Sequence, residues 1–287
     1  MKYIAQVFNE DGSPLDSNKI EFLSNRGSEF TVYKYLDSVI KIYKKDYKLS
    51  HLSLEELNTL KNILTQRILL PTGTLWNSNH ELIGYKMPYI ANEKDIGCTS
   101  LCDFFKELEI LKQDLELLCN NLIILRDINL SNTIYNGHIY LIDSGNYLID
   151  ELDKIIFNIN ISNLLIAEKL NRIITDGDYS KVKILTDSLS LEEKKSLIRI
   201  WNYNKINGLI EMLLFSRKSD IDPFEYRQIV QFIMRERDKN GFIYSLDVLK
   251  MHFNKQQSID DAIDSFIKRN IKDNSEERKL FLSLYNK

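Results

Sequence analysis

Three oxygen-bearing side chains lie at close spacing between residues 127 and 143. Asp127 and Asn132 are five residues apart, and Asp143 follows eleven residues later, directly before Ser144-Gly145. A carboxylate can accept or orient the proton of an attacking hydroxyl, and carboxylate and amide oxygens are hard ligands that hold Mg²⁺ against phosphates. Phosphoryl transfer from ATP needs a set of side chains of these types.

The elements on either side of this segment would place the three side chains. Strands are predicted at Thr133–Tyr135 and Ile139–Ile142, around the turn Asn136-Gly137. A helix is predicted before the segment, because apolar residues recur at a spacing of three to four at Leu108, Leu111, Leu115, Leu118 and Leu122. Asp127 and Asn132 are therefore expected in a loop after a helix, and Asp143 at the end of a strand.

The first 90 residues predict strands and one helix. The helix is expected over Leu54–Leu64, with Ser53 and Glu56 as a capping box at its start. A hairpin is expected around the turn Asp37-Ser38. The predicted strands are Tyr3–Phe8, Ile20–Leu23, Phe30–Leu36, Val39–Tyr43, Gly73–Trp76 and Glu81–Ile90.

After residue 150 the sequence predicts helices, with cap signals at Ser190 and Asp222. The chain is therefore expected to be of the α+β class, with a strand-rich part over residues 1–90 and a helical part over residues 91–287. The second part contains the 125–145 segment, and residues 87–91 would form a hinge. A hinge between two lobes favours a ligand cleft.

These parts together resemble the protein-kinase-like family. Arg126–Asn132 is similar to the kinase catalytic loop, and Asp143–Gly145 to the metal-binding Asp-Phe-Gly motif. Upstream, Val39–Lys41 is similar to the strand that carries the phosphate-binding lysine, and Gly27–Val32 to a reduced glycine-rich loop. The likeness covers roughly residues 24–149, and its specificity comes from the order of the parts on the expected elements.

The resemblance implies a two-lobed protein-kinase-like fold with a strand-rich N-lobe, a helical C-lobe and a helical C-terminal extension. It implies that Asp127 is the catalytic base and that Asn132 and Asp143 bind Mg²⁺. Lys41 would bind the α- and β-phosphates of ATP and pair with a glutamate of the first helix, either Glu56 or Glu55.

The resemblance also assigns residues to the nucleotide. Val32 and Val39 would cover one side of the adenine ring and Ile134 the other, while the Pro88 carbonyl and the Ile90 N–H would meet its edge. The full nucleotide set implied is Gly27, Val32, Val39, Lys41, Glu56, Met87, Pro88, Ile90 and Ile134.

The sequence departs from the family pattern at several positions. Leu125 replaces the usual histidine, Asn129 replaces a lysine that contacts phosphate in Ser/Thr kinases, and Ser144 replaces phenylalanine. The expected function is transfer of the γ-phosphate of ATP to a hydroxyl, on a protein Ser or Thr or on the protein itself. The alternatives are a small-molecule kinase and an ATP-binding pseudokinase that acts as a regulatory interaction module.

Composition excludes several other classes. The 38 Lys and Arg residues are balanced by 41 Asp and Glu, and no basic block occurs, so no nucleic-acid partner is expected. The three cysteines do not suggest a disulfide framework. No signal peptide and no apolar run of about 20 residues occurs, so a cytoplasmic protein without a membrane partner is expected.

Overall fold

The chain forms two compact units in the structure, a computed structural model that describes residues 6–25, 29–44, 52–95, 101–159, 167–218, 221–238, 247–249, 251–253 and 258–270. The first unit comprises Met1–Lys94 and Asn132–Tyr147, and the second comprises Asp95–Ser131 and Leu148–Lys287. The first contains an antiparallel sheet and the second is mainly helical, which confirms the predicted α+β class.

The sheet of the first unit has six strands, all paired antiparallel. They are β1 (Phe8–Asn9), β2 (Ile20–Ser24), β3 (Phe30–Tyr35), β4 (Ser38–Tyr43), β5 (Gly73–Trp76) and β6 (Leu82–Pro88). Their order across the sheet is β1-β5-β6-β4-β3-β2. The first part of the predicted strand Tyr3–Phe8 lies outside the described residues. β-Branched and aromatic residues dominate β3 and β4, as is typical of half-buried strands.

The two faces of this sheet differ in character. Ile40 and Leu75 on one face form a core cluster with Val7 and Leu15. Side chains alternate along a strand, so Lys41 points to the other face. Val32 on β3 and Tyr85 on β6 lie directly opposite Lys41 on β4 and therefore share its face.

The hairpin between β3 and β4 turns one residue earlier than predicted. Tyr35 pairs with Ser38, so the turn is Leu36-Asp37 and not Asp37-Ser38. Leu36 has a φ of 54°, in the left-handed region that favours glycine. Residue propensity alone therefore misplaced the turn, because the pairing register of the strands outweighs the local preference of Leu36.

Helix α1 (Leu54–Lys61) begins at the predicted capping box but ends earlier than predicted. The Ser53 side chain accepts a hydrogen bond from the Glu56 N–H, and the Glu56 side chain accepts one from the Ser53 N–H. Leu57 and Leu60 are buried, whereas Leu64 is 87 % exposed. The apolar spacing thus continues past the end of the helix without a core for Leu64 to enter.

A second hairpin completes the first unit. Strand β7 (Lys94–Asp95) starts at the last residue of the first segment, and β8 (Ile123–Ile124) belongs to the second unit. The hairpin consists of β9 (Thr133–Tyr135) and β10 (Ile139–Leu141), paired antiparallel around Asn136-Gly137 as predicted. Its bounds match the predicted strands to within one residue.

The second unit is built around two long helices, α2 (Leu101–Asn120) and α5 (Leu191–Ser216). Between α2 and α5, strand β8 pairs with β11 (Leu148–Ile149). Residues after 150 begin with the 3₁₀ turns Leu152–Lys154 and Ile156–Asn158, where helix was expected. The other helices described are α3 (Ala167–Asp176), α4 (Ser180–Asp187), α6 (Pro223–Asp238) and α7 (Ile259–Asn270).

A charged cluster joins α2 to α5. Arg199 donates two parallel hydrogen bonds to the Glu116 carboxylate, from Nε at 3.0 Å and from Nη2 at 2.8 Å, and the Tyr203 hydroxyl donates a third at 2.9 Å.

Within the described residues, no helix is both long enough and apolar enough to cross a membrane.

The approach of β6 to β4 depends on Gly84. A Cβ atom on Gly84 would lie 2.0 Å from the carbonyl oxygen of Lys41, which is backbone and cannot rotate away. Any side chain at this position must therefore separate the two strands that hold Lys41 and Tyr85 in register.

We expect Gly84→Ala to destabilise the fold by about 1–3 kcal/mol, since it forces a backbone shift in the middle of the sheet. The measurement is urea unfolding followed by circular dichroism. Gly73→Ala is the matched control, because a Cβ at Gly73 in β5 meets nothing within 4 Å. Equal midpoints for the two variants would contradict the close approach.

Candidate functional site

Lys41 and Asp143 form an ion pair within the first unit. The Lys41 ammonium donates a hydrogen bond to Asp143 Oδ1 at 2.7 Å and another to the Ile142 carbonyl at 3.3 Å. The Lys41 side chain is 11 % exposed and that of Asp143 is 24 % exposed. The pair is therefore largely shielded from solvent, which strengthens it relative to a surface ion pair.

Backbone pairing brings Asp143 to this position. The Leu69 N–H donates to the Leu141 carbonyl and the Leu141 N–H to the Arg67 carbonyl, each at 2.8 Å. The segment before β5 is thereby fixed to β10, and Asp143 lies two residues beyond the end of β10. The sequence alone could not show this pairing, because it joins distant parts of the chain.

Asn132, the second predicted metal ligand, lies beside Asp143 in the hairpin. The Ile142 N–H donates to the Asn132 carbonyl at 3.0 Å, so the two predicted ligands are one residue apart across the ladder. Among the described residues, no group of three or more His, Cys, Asp or Glu side chains could hold a metal. An Asp and an Asn together fit Mg²⁺, which commonly takes one or two protein ligands and completes its shell with phosphate and water oxygens.

Aromatic rings enclose the Lys41 ammonium. It lies 5.3 Å from the ring centroid of Phe30 and 6.0 Å from that of Tyr85. Gly145 packs against both rings, and a Cβ on it would lie 2.8 Å from the Tyr85 hydroxyl. The sequence analysis missed Phe30 and Tyr85. Each lies two residues from a predicted nucleotide residue, Val32 or Met87, and this spacing could have placed them on the same face.

Three buried hydroxyls surround the Asp143 segment, those of Tyr85, Ser144 and Tyr147. None has a hydrogen-bond partner within the described structure. Burial raises the pKa of the Tyr85 and Tyr147 hydroxyls well above the usual range, and the Asp143 carboxylate raises them further. Both tyrosines thus stay protonated, and their hydroxyls are potential donors near the carboxylate.

The structure places four of the nine predicted nucleotide residues, Val32, Val39, Lys41 and Met87, on one face of the sheet. Val39 pairs with Met87. Val39 lies two residues from Lys41 on β4, and Met87 lies two residues from Tyr85 on β6, so all four side chains are on the same face as Val32. Pro88 ends β6, and Ile90 follows it half-buried.

Two other predicted residues, Ile134 and Glu56, lie outside these strands. Ile134 lies in β9 opposite Tyr140. Gly27 lies outside the described residues. The Glu56 carboxylate accepts from the Ser53 N–H at 2.7 Å, and Lys41 pairs with Asp143 and with neither Glu56 nor Glu55.

Asp127 lies in the second unit, in a strained and exposed loop. Its φ is 53°, in the left-handed region that aspartate and asparagine tolerate better than other side chains. Asn129 Nδ2 donates to the Asp127 carbonyl at 3.2 Å and to Oδ1 at 2.9 Å. The asparagine that replaces the expected lysine therefore helps to hold the Asp127 carboxylate.

Two side chains of α5 hold the strand that leads into this loop. Trp201 Nε1 donates to the Leu125 carbonyl at 2.7 Å, and the Leu125 N–H donates to Asn202 Oδ1 at 2.8 Å. Asn202 Nδ2 also donates to the Ile123 carbonyl at 2.9 Å, and Asn202 is fully buried. The sequence analysis missed both residues, although an asparagine within an apolar helical stripe is a recognisable signal.

We expect Asn202→Ala to leave the Leu125 N–H and the Ile123 carbonyl buried without partners, at a cost of roughly 1–3 kcal/mol for each group. Urea unfolding measures the loss. Asn204→Ala is the matched control on the same helix, because Asn204 Oδ1 makes no hydrogen bond. Comparable stability of the two variants would show that Asn202 does not support the loop.

Comparison with models of known protein families finds no match for this chain, and comparison with curated proteins finds none either.

Proposed function

We propose that the protein is an ATP- and Mg²⁺-dependent phosphotransferase with a two-lobed, protein-kinase-like fold, which transfers the γ-phosphate to a hydroxyl. The observation that carries this proposal is the ion pair between Lys41 and Asp143, with Asn132 one residue away across the hairpin. To bind a nucleoside triphosphate, a protein needs a cationic side chain for the phosphates and oxygen ligands for the Mg²⁺ ion.

The site residues of the first unit have distinct roles in this proposal. Lys41 binds phosphate oxygens through charge-assisted hydrogen bonds, which are stronger than neutral ones. Asp143 and Asn132 hold Mg²⁺, which neutralises charge on the phosphates. Val32 and Met87 offer an apolar surface to the adenine ring on the face that Lys41 shares.

Asp127 acts on the acceptor in this proposal. Its carboxylate accepts the proton of the acceptor hydroxyl as the new oxygen–phosphorus bond forms and the bond to the β-phosphate oxygen breaks. The hydrogen bond from Asn129 orients the carboxylate for this task. We favour a protein Ser or Thr as acceptor, including residues of the protein itself.

The same ion pair also favours a second candidate. Lys41 and Asp143 neutralise each other, and Glu56 is engaged in the helix cap. A site closed in this way suits an ATP-binding pseudokinase that acts as a regulatory interaction module. A small-molecule kinase is the third candidate, because Asn129 replaces the lysine usual in Ser/Thr protein kinases.

We expect ATP with Mg²⁺ to stabilise the protein by about 2.7 kcal/mol at a ligand concentration one hundred times the dissociation constant. Lys41→Met and Asp143→Asn should each reduce this gain, and EDTA should abolish the part that Asp143 provides. Thermal-shift assays measure it. Lys86→Met is the control, because Lys86 lies opposite Ile40 and faces away from Lys41. Absence of any shift would overturn the nucleotide proposal.

We expect Asp127→Asn to lower phosphate transfer by about 10²–10⁴-fold while ATP binding and melting temperature stay unchanged. Asparagine tolerates the left-handed backbone and keeps an oxygen for Asn129, so only the basicity is lost. The assay is label transfer from γ-labelled ATP at saturating nucleotide. Asp103→Asn, at an exposed position on α2, is the control. If the Asp127 variant transfers phosphate at the wild-type rate, Asp127 is not the catalytic base. If the wild-type protein binds ATP but transfers no phosphate, the pseudokinase is favoured.

A further inference from the structure

Two cations lie beside Asp127 in the second unit, Arg126 from the loop and Lys205 from α5. Lys205 follows Trp201 by one helical turn, and its ammonium lies 4.3 Å from the Trp201 ring centroid. Because Trp201 also binds the Leu125 carbonyl at 2.7 Å, the same indole fixes both the lysine and the start of the loop. The core of the unit therefore fixes the position of Lys205 relative to Leu125, which lies two residues before Asp127.

The charges of these three groups interact. Burial lowers the pKa of the Lys205 ammonium and the charge of Arg126 lowers it further, whereas the Asp127 carboxylate raises it. Two like charges held near one carboxylate leave a local excess of one positive charge. Their mutual repulsion is a cost that a bound anion would relieve.

Neither cation is neutralised by an ion pair in the part of the chain that the structure describes. Other lysines of α5 are paired there: Lys194 contacts Asp150 at 2.9 Å and Lys195 contacts Glu192 at 3.0 Å. Arg126 is exposed and Lys205 is half-buried, so neither cation is closed off from solvent. The loop and α5 together thus present two cations and one carboxylate, with a net excess of one positive charge.

We propose that Arg126 and Lys205 form an anion-binding site that selects acceptors with an acidic group next to the reacting hydroxyl, namely Ser or Thr in an acidic protein segment. This inference rests on the proposed function, since it assigns the acceptor of that reaction. Asp127 repels an anion, so the acidic group binds at the cations while the neutral hydroxyl meets the carboxylate. The arrangement thereby fixes the orientation of the acceptor as well as its charge.

The first test compares three peptides, each with one Ser and with flanking Glu, Ala or Arg, in label transfer from γ-labelled ATP by the full chain. We expect kcat/KM to be about tenfold higher for the Glu peptide than for the Arg peptide, the value of roughly one charged hydrogen bond. Lys205→Glu should reverse this order without changing stabilisation by ATP. Lys218→Glu is the control, because the Lys218 ammonium also lies over a ring, 4.8 Å from the centroid of Phe215.

The second test does not depend on turnover. The chain has two tryptophans, so Trp76→Phe leaves Trp201 as the reporter beside Lys205. A peptide with Glu flanks and Ala in place of Ser should change the Trp201 fluorescence in a saturable way, the Arg peptide should not, and Lys205→Glu should abolish the response.

The outcomes separate this inference from the proposed function. Transfer without a charge preference, or a preference that survives Lys205→Glu, overturns the anion site and leaves the phosphotransferase intact. A saturable, Lys205-dependent response without any transfer supports the anion site and overturns the phosphotransferase. Absence of the fluorescence response would overturn the site itself.

Discussion

A single ion pair between distant residues organises the first unit. A lysine on the half-buried face of a sheet needs a partner, because an unpaired charge removed from water costs several kcal/mol. Asp143 supplies that partner from a position 102 residues later in the chain. The contact requires β4 to pair with β6 in register and β10 to pair with the segment before β5, and Gly84 and Gly145 allow the close approaches at this site. Sheet geometry and site geometry are therefore one problem in this unit.

The second unit solves a different problem, the support of an exposed loop by a buried helix. Strand β8 is short, so most of its backbone polar groups cannot be satisfied by a long ladder. Asn202 and Trp201 of α5 provide the missing partners from inside the core. A polar side chain is tolerated there because its hydrogen bonds are made with good geometry. The loop that follows can then hold Asp127 in a backbone conformation that would otherwise be unfavourable.

Local signals in the sequence predicted much of this architecture. The strands Gly73–Trp76 and Thr133–Tyr135 have their predicted bounds, and both serine capping boxes begin helices as expected. Such features depend on neighbouring residues. The partner of Lys41 does not, because it depends on which strand lies beside which. The family resemblance implied Glu56 or Glu55, and the structure places Asp143 there. The alternation of side chains along β4 shows which face of the sheet Lys41 occupies. Only the tertiary pairing of distant segments shows which residue contacts it.

The order in which the two units take their residues from the chain constrains biosynthesis. The first unit needs residues 132–147, which are made after the whole of α2. At about 5–20 residues per second, an emerging chain has made all six strands of the sheet several seconds before Asp143 can pair with Lys41. A fragment that stops near residue 94 would lack Asp143, so Lys41 would have no counter-ion from that segment. The first unit therefore cannot be completed until the residues of α2 have been made, although α2 belongs to the second unit.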